Sequence, residues 1–137
     1  MPWRDSCAII EEFIAIERDA GIAADRIVLA GFSQGGAVAL FTGLRHSESL
    51  GGIMALSTYL PMPNRLQFEA HAANRQTPIF MAHGLYDPLI PVFQGEHSAG
   101  LLRGHGYGVR WHTYAMPHGV CAEEVHDLAL WLKTILK

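Results

Sequence analysis

Hydrophobic positions recur along this chain in two rhythms. Between residues 6 and 20, Ile9, Ile10, Phe13, Ile14 and Ile16 fall mostly on one side of a helical wheel, and Gly21 follows as a stop signal; the pattern predicts one amphipathic helix. After Arg26, the residues Ile27, Val28, Leu29 and Ala30 make a short unbroken apolar run, the pattern of a strand covered on both faces in a parallel sheet. Runs of the same kind recur at Gly52–Leu56, at 78–82 and at Val109–Tyr114. Helical patterns separate most of them, at Gln34–Arg45 and Val92–Gly104, and a last helix places Val125, Leu128, Ala129, Leu132, Ile135 and Leu136 at its apolar spacings.

This alternation predicts an α/β fold, a mostly parallel sheet of about four strands flanked by helices and joined by right-handed crossovers. Residues 57–77 are the exception. They carry Pro61, Pro63 and Asn64 without a clean period, and long irregular connections of this type are often functional, so the segment is a candidate substrate-facing loop whose apolar residues around 57–66 would line an acyl pocket. No internal repeat, low-complexity tract or linker interrupts the chain, and 1–137 reads as a single domain.

Composition narrows the function classes. The chain has 137 residues, half of them hydrophobic, enough for one core. Its 10 Lys+Arg against 13 Asp+Glu leave a formal charge of -3 with no run of like charges, so the basic footprint of a nucleic-acid binder is absent. Two cysteines, Cys7 and Cys121, are too few and too far apart for a disulfide framework or a paired-cysteine zinc site, and a reducing, cytoplasmic setting is the default. Arg4, Asp5, Glu11 and Glu12 interrupt the stretch where a secretory signal needs continuous apolar residues. Residues 27–44 form an uncharged run of 18, the lower edge of membrane-span length, but Gly31, Ser33, Gln34, Gly35 and Gly36 break its middle, so no membrane span is expected.

Chemistry concentrates at Gly31-Phe32-Ser33-Gln34-Gly35. The G-x-S-x-G spacing stands between a buried strand and a helix start, the context of a nucleophile elbow. There a serine sits on a tight turn with its hydroxyl above the sheet, the flanking glycines let backbone and helix approach, and the helix N-terminus faces developing negative charge. A serine hydroxyl needs a histidine base steadied by a carboxylate, in the chain order Ser, acid, His for this architecture. Asp87, in HGLYDPLIP just beyond the third apolar run, suits the acid; His118, in YAMPHGV between the fourth run and the last helix, suits the base. The other histidines are placed less well. His46, His71, His97, His105 and His126 fall on predicted helices or polar loops and His112 within a strand, while His83 precedes the acid immediately and is assigned to shaping its loop. His112, His118 and His126 lack the i, i+4 spacing of a zinc helix.

With these residues placed, the chain resembles the carboxylesterase and acyl-protein thioesterase (phospholipase/carboxylesterase) family of α/β-hydrolases. The similarity runs from about Ile10 to the C-terminus through GIAADRIVLAGFSQGGAVAL, GGIMALSTYLP, HGLYDPLIPV and WHTYAMPHGVCAEEVHDLALWL. It implies Ser33 as nucleophile, Asp87 as acid, His118 as base and the backbone N–H of Gln34 as an oxyanion donor. It also implies carboxylic ester or thioester substrates, no metal or organic cofactor, and often a homodimer. Around the histidine the family usually has Gly before and a small residue after, whereas Pro117 and Gly119 stand here. Family members also begin with further strands and a His-Gly loop that supplies a second oxyanion N–H, so this chain resembles a partial α/β-hydrolase fold lacking the N-terminal strands. Loss of one oxyanion donor costs about 100- to 1000-fold in turnover. If the missing strands flank residues 27–30, that run becomes an open sheet edge, and edge-to-edge or swapped dimers, or a truncated form of a longer enzyme, are expected. The rival reading is a catalytically impaired or inactive remnant that acts only as part of an assembly with another chain; a serine peptidase on the same fold is disfavoured by GFSQGG.

Overall fold

A computed structural model describes residues 2–136. Four strands, β1 (Val28–Phe32), β2 (Gly52–Leu56), β3 (Ile79–Gly84) and β4 (Val109–Tyr114), lie parallel in the order β1-β2-β3-β4. Parallel neighbours need long return connections. Helix α2 (Gln34–Arg45) lies between β1 and β2, and helix α4 (Val92–Gly104) between β3 and β4. Helix α1 (Pro2–Asp19) precedes the sheet and α5 (Ala122–Ile135) follows it, so the predicted alternation of strand and helix is observed.

The two-residue period of each strand divides the core. Leu29, Ile53, Ala55, Ile79 and Met81 pack on one face against Ile14, Leu40, Leu44 and Leu102 from α1, α2 and α4. Met54, Leu56, Phe80, Ala82 and Tyr114 pack on the other face against Trp131 of α5, with Leu128, Leu132 and Ile135 at its border. The apolar spacing of α5 is therefore rotated from the sequence expectation. Trp131 is its buried anchor, while Val125 is 54% exposed and Ala129 lies on the solvent side.

Two further expectations need correction. The run at 27–30 was expected to be covered on both faces, yet β1 is an edge strand in which only Leu29 is buried and Ala30 and Phe32 are exposed. The apolar side of α1 is wider than its contact with α2, so Ile14 is buried while Ile9, Phe13 and Ile16 are 54 to 60% exposed. Between α1, β1 and α2 lies an apolar groove of about 280 Å³, bordered by Ile10, Phe13, Val28, Ala30 and Gly35.

Residues 57–77 are ordered by local turns rather than left loose. They contain 3-10 turns at Pro63–Arg65 and Ala72–Asn74 and a short helix α3 (Leu66–Glu69). Asn74 is fully buried and fills its hydrogen-bonding capacity: Nδ2 donates to His46 O and Glu48 O at 2.9 and 2.8 Å, and Oδ1 accepts from Leu50 N and Thr77 Oγ1 at 2.8 and 2.7 Å. Glu69 accepts from Arg45 and Arg4, both at 2.8 Å, and from Arg65 at 3.2 Å, tying α1, α2 and α3 together. The uncharged run at 27–44 divides between β1, a turn and α2, and among the described residues no helix is long and apolar enough to cross a membrane.

Candidate active site

Ser33 occupies the junction of β1 and α2 with φ 57° and ψ -122°. Such a backbone costs a non-glycine residue about 1–3 kcal/mol and persists only where its surroundings fix it. Here they do. Ser33 N donates to Leu56 O at 2.8 Å, and Ser33 O accepts from the N–H groups of Gly36 and Ala37 at 3.0 and 3.2 Å. A serine at the start of a helix ordinarily caps it with its hydroxyl. Ser33 makes no such bond; its Oγ stands 3.1 Å from His118 Nε2 instead.

Close approach at the turn depends on Gly31 and Gly36. A Cβ on Gly31 would fall 2.1 Å from the Gly35 carbonyl oxygen, and one on Gly36 would fall 2.7 Å from Thr58 Cγ2. Gly35, expected to serve the same purpose, has nothing within 4 Å of its Cβ position and borders the open groove. Gln34 is the first residue of α2, where no carbonyl four residues back can accept its N–H, so this donor is free for another acceptor.

Asp87 lies beyond the end of β3 with its side chain fully buried. Its Oδ1 accepts from the N–H groups of Leu89 and Ile90, both at 2.9 Å, and its Oδ2 is 2.6 Å from His118 Nδ1. Burial pushes this carboxyl up, but the donors from Ile90, His118 and Leu89 outweigh that and hold it below the usual carboxylate range. An ionised carboxylate only accepts, so Nδ1 of His118 donates to it and Nε2 is left to accept from Ser33 Oγ–H.

The loop carrying His118 is fastened to the loop carrying Asp87. Leu85 N donates to Tyr114 O at 2.9 Å and Tyr86 N to Met116 O at 3.1 Å. The contact is so close that a Cβ on Gly84 would meet Pro117 O at 2.2 Å. From the other side, Tyr114 Oη–H donates to Asp127 Oδ2 at 2.6 Å, anchoring the end of β4 to α5. With the loop so held, Pro117 does not prevent the imidazole of His118 from reaching Ser33.

The family profile described as phospholipase/carboxylesterase matches residues 3–136. The chain belongs to that family. A protein named acyl-protein thioesterase 1 from Gibberella zeae is 45% identical over 120 residues, which are 85% of this chain and 51% of that protein. One of the same name from Neurospora crassa is 46% identical over 125 residues, 88% of this chain and 50% of that protein. Among solved structures, esterase PE8 superposes with a TM-score of 0.90 at 29% identity, covering 98% of this chain and 62% of that one. Arabidopsis thaliana SOBER1 superposes with a TM-score of 0.87 at 26% identity, covering 98% and 63%. The chain thus spans about half the length of the sequence relatives it matches, and its sheet is a partial α/β-hydrolase fold.

Within this phospholipase/carboxylesterase frame the structure adds a residue that sequence reasoning passed over. The ring of Phe32, the unspecified second position of the G-x-S-x-G pattern, packs on the His118 ring with centroids 4.8 Å apart. No spacing rule points to it, because only the fold brings the two together. Of the other histidines, His83 lies against Asp87 with Nε2 3.5 Å from Oδ2, whereas His46 pairs with Glu11 at 2.8 Å and His112 stacks on Phe80 with centroids 5.0 Å apart. Tyr59, Leu60 and Pro63 do line a cavity, of about 800 Å³, against Phe93 and Leu101 of α4, but none of Ser33, Asp87 and His118 borders it. The described residues contain no group of three or more His, Cys, Asp or Glu side chains placed to hold a metal ion.

Proposed function

We propose that this chain carries the reacting residues of a serine hydrolase that cleaves carboxylic esters or thioesters. The supporting observation is the continuous line from Asp87 Oδ2 through His118 to Ser33 Oγ, with separations of 2.6 and 3.1 Å. Ser33 Oγ attacks the acyl carbonyl while its proton passes to His118 Nε2, and Asp87 steadies the imidazolium. The carbonyl oxygen becomes an oxyanion at the N-terminus of α2, where the Gln34 N–H donates to it. Collapse breaks the carbonyl bond to the alkoxide or thiolate, which leaves with the proton from Nε2, and water then hydrolyses the acyl-serine by the same steps in reverse. The names of the matched thioesterases favour thioesters among the substrates. Labelling by a fluorophosphonate probe tests the reading: the wild-type chain should react at Ser33 and the Ser33→Ala variant should not. Equal labelling of the two overturns Ser33 as nucleophile.

A second reading is favoured by the uncovered side of the sheet. Ala30 and Phe32 of the edge strand and Ile9, Phe13 and Ile16 of α1 are exposed, and the chain spans only about half of its matched relatives. On this reading the chain acts within an assembly, as a homodimer or beside another chain, that covers the edge and supplies a second oxyanion donor. Its two cysteines are unpaired, which fits a reducing, cytoplasmic setting. Without a partner, labelling of Ser33 should be slow; with one, it should rise about 100- to 1000-fold, the usual value of one oxyanion donor.

A further inference from the structure

The Asp87 carboxylate touches a second imidazole that the proposed reaction does not use. His83, at the penultimate position of β3, is fully buried, and its Nε2 is 3.5 Å from Asp87 Oδ2 and 2.7 Å from the Ile90 carbonyl oxygen. A carbonyl oxygen only accepts, so Nε2 carries the hydrogen. The other ring nitrogen, Nδ1, is buried without a hydrogen-bond partner, so the ring makes its hydrogen bond through Nε2 alone. That ring is closely held. A Cβ on Gly95 of α4 would lie 2.6 Å from Nδ1 and 2.9 Å from the Trp111 ring, whose centroid is 6.1 Å from that of His83.

A core histidine kept only for packing would be poorly chosen, because burying an unpartnered nitrogen costs free energy that leucine or phenylalanine avoids. The direction of its one donor explains the choice. Asp87 binds the N–H of Ile90 through Oδ1, and His83 binds the carbonyl oxygen of the same residue, so the two side chains grip one peptide segment from both ends. His83 thereby fixes the loop that sets Oδ2 toward His118, while its Nε2 stands 3.5 Å from Oδ2.

We propose that His83 is a positioning residue for the Asp87–His118 pair, holding the acid loop through its hydrogen bond to Ile90 and tempering the basicity of Asp87 through the N–H dipole that stands 3.5 Å from Oδ2. The proposal rests on the serine-hydrolase reading above for its consequence, and on the geometry alone for its mechanism. The titratable groups that contact Asp87 among the described residues are His83 and His118.

The test compares His83→Leu, which has no donor, with His83→Gln, whose amide can reach the Ile90 carbonyl. Fluorophosphonate labelling is followed against pH, and the His118 ring resonance is titrated by NMR in the same samples. In His83→Leu the labelling rate at pH 7 should fall about 10- to 100-fold, the scale for removing a supporting hydrogen bond behind a functional group. Its rate profile and the His118 resonance should both move to higher pH, because a carboxylate relieved of a nearby N–H dipole holds a proton on its neighbour more strongly. His83→Gln should restore the rate to within about threefold and the profile to that of the wild type. A His83→Leu protein with wild-type rate and profile overturns the proposal. If that variant does not fold, a folded His83→Gln protein decides it, supporting the proposal with a wild-type profile and overturning it with a displaced one. Should the wild-type protein not label at all, the hydrolase reading fails, and the His118 resonance still decides whether His83 acts through Asp87.

Discussion

The carboxylate of Asp87 and the imidazole of His118 meet at 2.6 Å across 31 positions of sequence, and that contact fixes which nitrogen faces Ser33. Replacing Asp87 with Asn puts an amide where the acceptor was. If its N–H faces Nδ1, the imidazole must carry its hydrogen on Nε2 and cannot accept the Ser33 proton. Turnover of p-nitrophenyl acetate by Asp87→Asn should fall about 10⁴-fold, the scale for the wrong tautomer in such a site. A fall of less than tenfold would remove Asp87 from the proposed role.

The pH profile should contain one rising limb. Asp87 is held below its ordinary value of 3.8 by its three donors, despite burial, so it remains ionised throughout the weakly acidic range. The sign for stability follows: a carboxyl with a depressed folded value stabilises the fold above the unfolded value and loses that contribution as pH falls through the folded one. Labelling of Ser33 should therefore rise in one step as its base loses a proton, with no separate carboxylate step between pH 4 and about 5.5. A second step in that window would contradict the buried, three-donor environment.

How far the site was legible in the sequence follows from the kind of interaction involved. Ser33, Asp87 and His118 were placed by chain order and by their positions after successive strands, since a parallel sheet delivers its loops to one end. The bounds of α2, β2, α4 and β4 were equally readable, because apolar periodicity and glycine punctuation agree there. Gly84 lies at the end of β3, and what its missing side chain accommodates is the neighbouring loop at Met116 and Pro117, a contact that no local pattern announces. The contact of Phe32 with His118, the burial of Trp131 and the edge exposure of β1 depend on which elements become neighbours, and no local pattern encodes that.

Glu124 offers a test of electrostatics at the base of the His118 loop. It is fully buried near the start of α5, and both of its oxygens lack a hydrogen-bond partner. Burial pushes its carboxyl up from 4.5, while the Cys121 N–H lies near enough to oppose the push without closing a bond. A raised carboxyl favours the fold below the unfolded value and loses that contribution as pH rises. Glu124→Gln should consequently be more stable than the wild type at pH 7 by about 1 kcal/mol, and the difference should vanish below the unfolded value. Urea melts at pH 7 and pH 4 measure it; equal destabilisation at both would show that the carboxylate has a partner.

Asn74 should be among the most sensitive positions outside the site. Removal of its amide strands the carbonyls of His46 and Glu48, the N–H of Leu50 and the hydroxyl of Thr77, all drawn toward one buried point. Asn74→Ala should destabilise by about 3 kcal/mol in denaturant melts, since each stranded buried group carries its own desolvation penalty. Asn74→Asp should be nearly as damaging, because it exchanges two donors for a buried charge facing carbonyl oxygens. A loss below about 0.5 kcal/mol, the scale of an ordinary surface change, would mean that water replaces the amide.

The open side of the sheet leads to a prediction about association. β1 is an edge, Ala30 on it is exposed, and the groove beside it is lined by Ile10, Phe13 and Val28. An apolar edge strand with free N–H and carbonyl groups pairs readily with another chain, and a lysine placed on it opposes pairing by its charge and hydration. Light scattering of the wild-type chain across a dilution series should show mass rising with concentration, and Ala30→Lys should shift that rise to higher concentration. Because Ala30 touches none of the reacting atoms, a change in labelling that tracks the mass would tie reactivity to assembly. Labelling that stays constant while the mass falls would leave Ser33, Asp87 and His118 sufficient within one chain, and a monomer at every concentration would show that the edge is protected by its own residues.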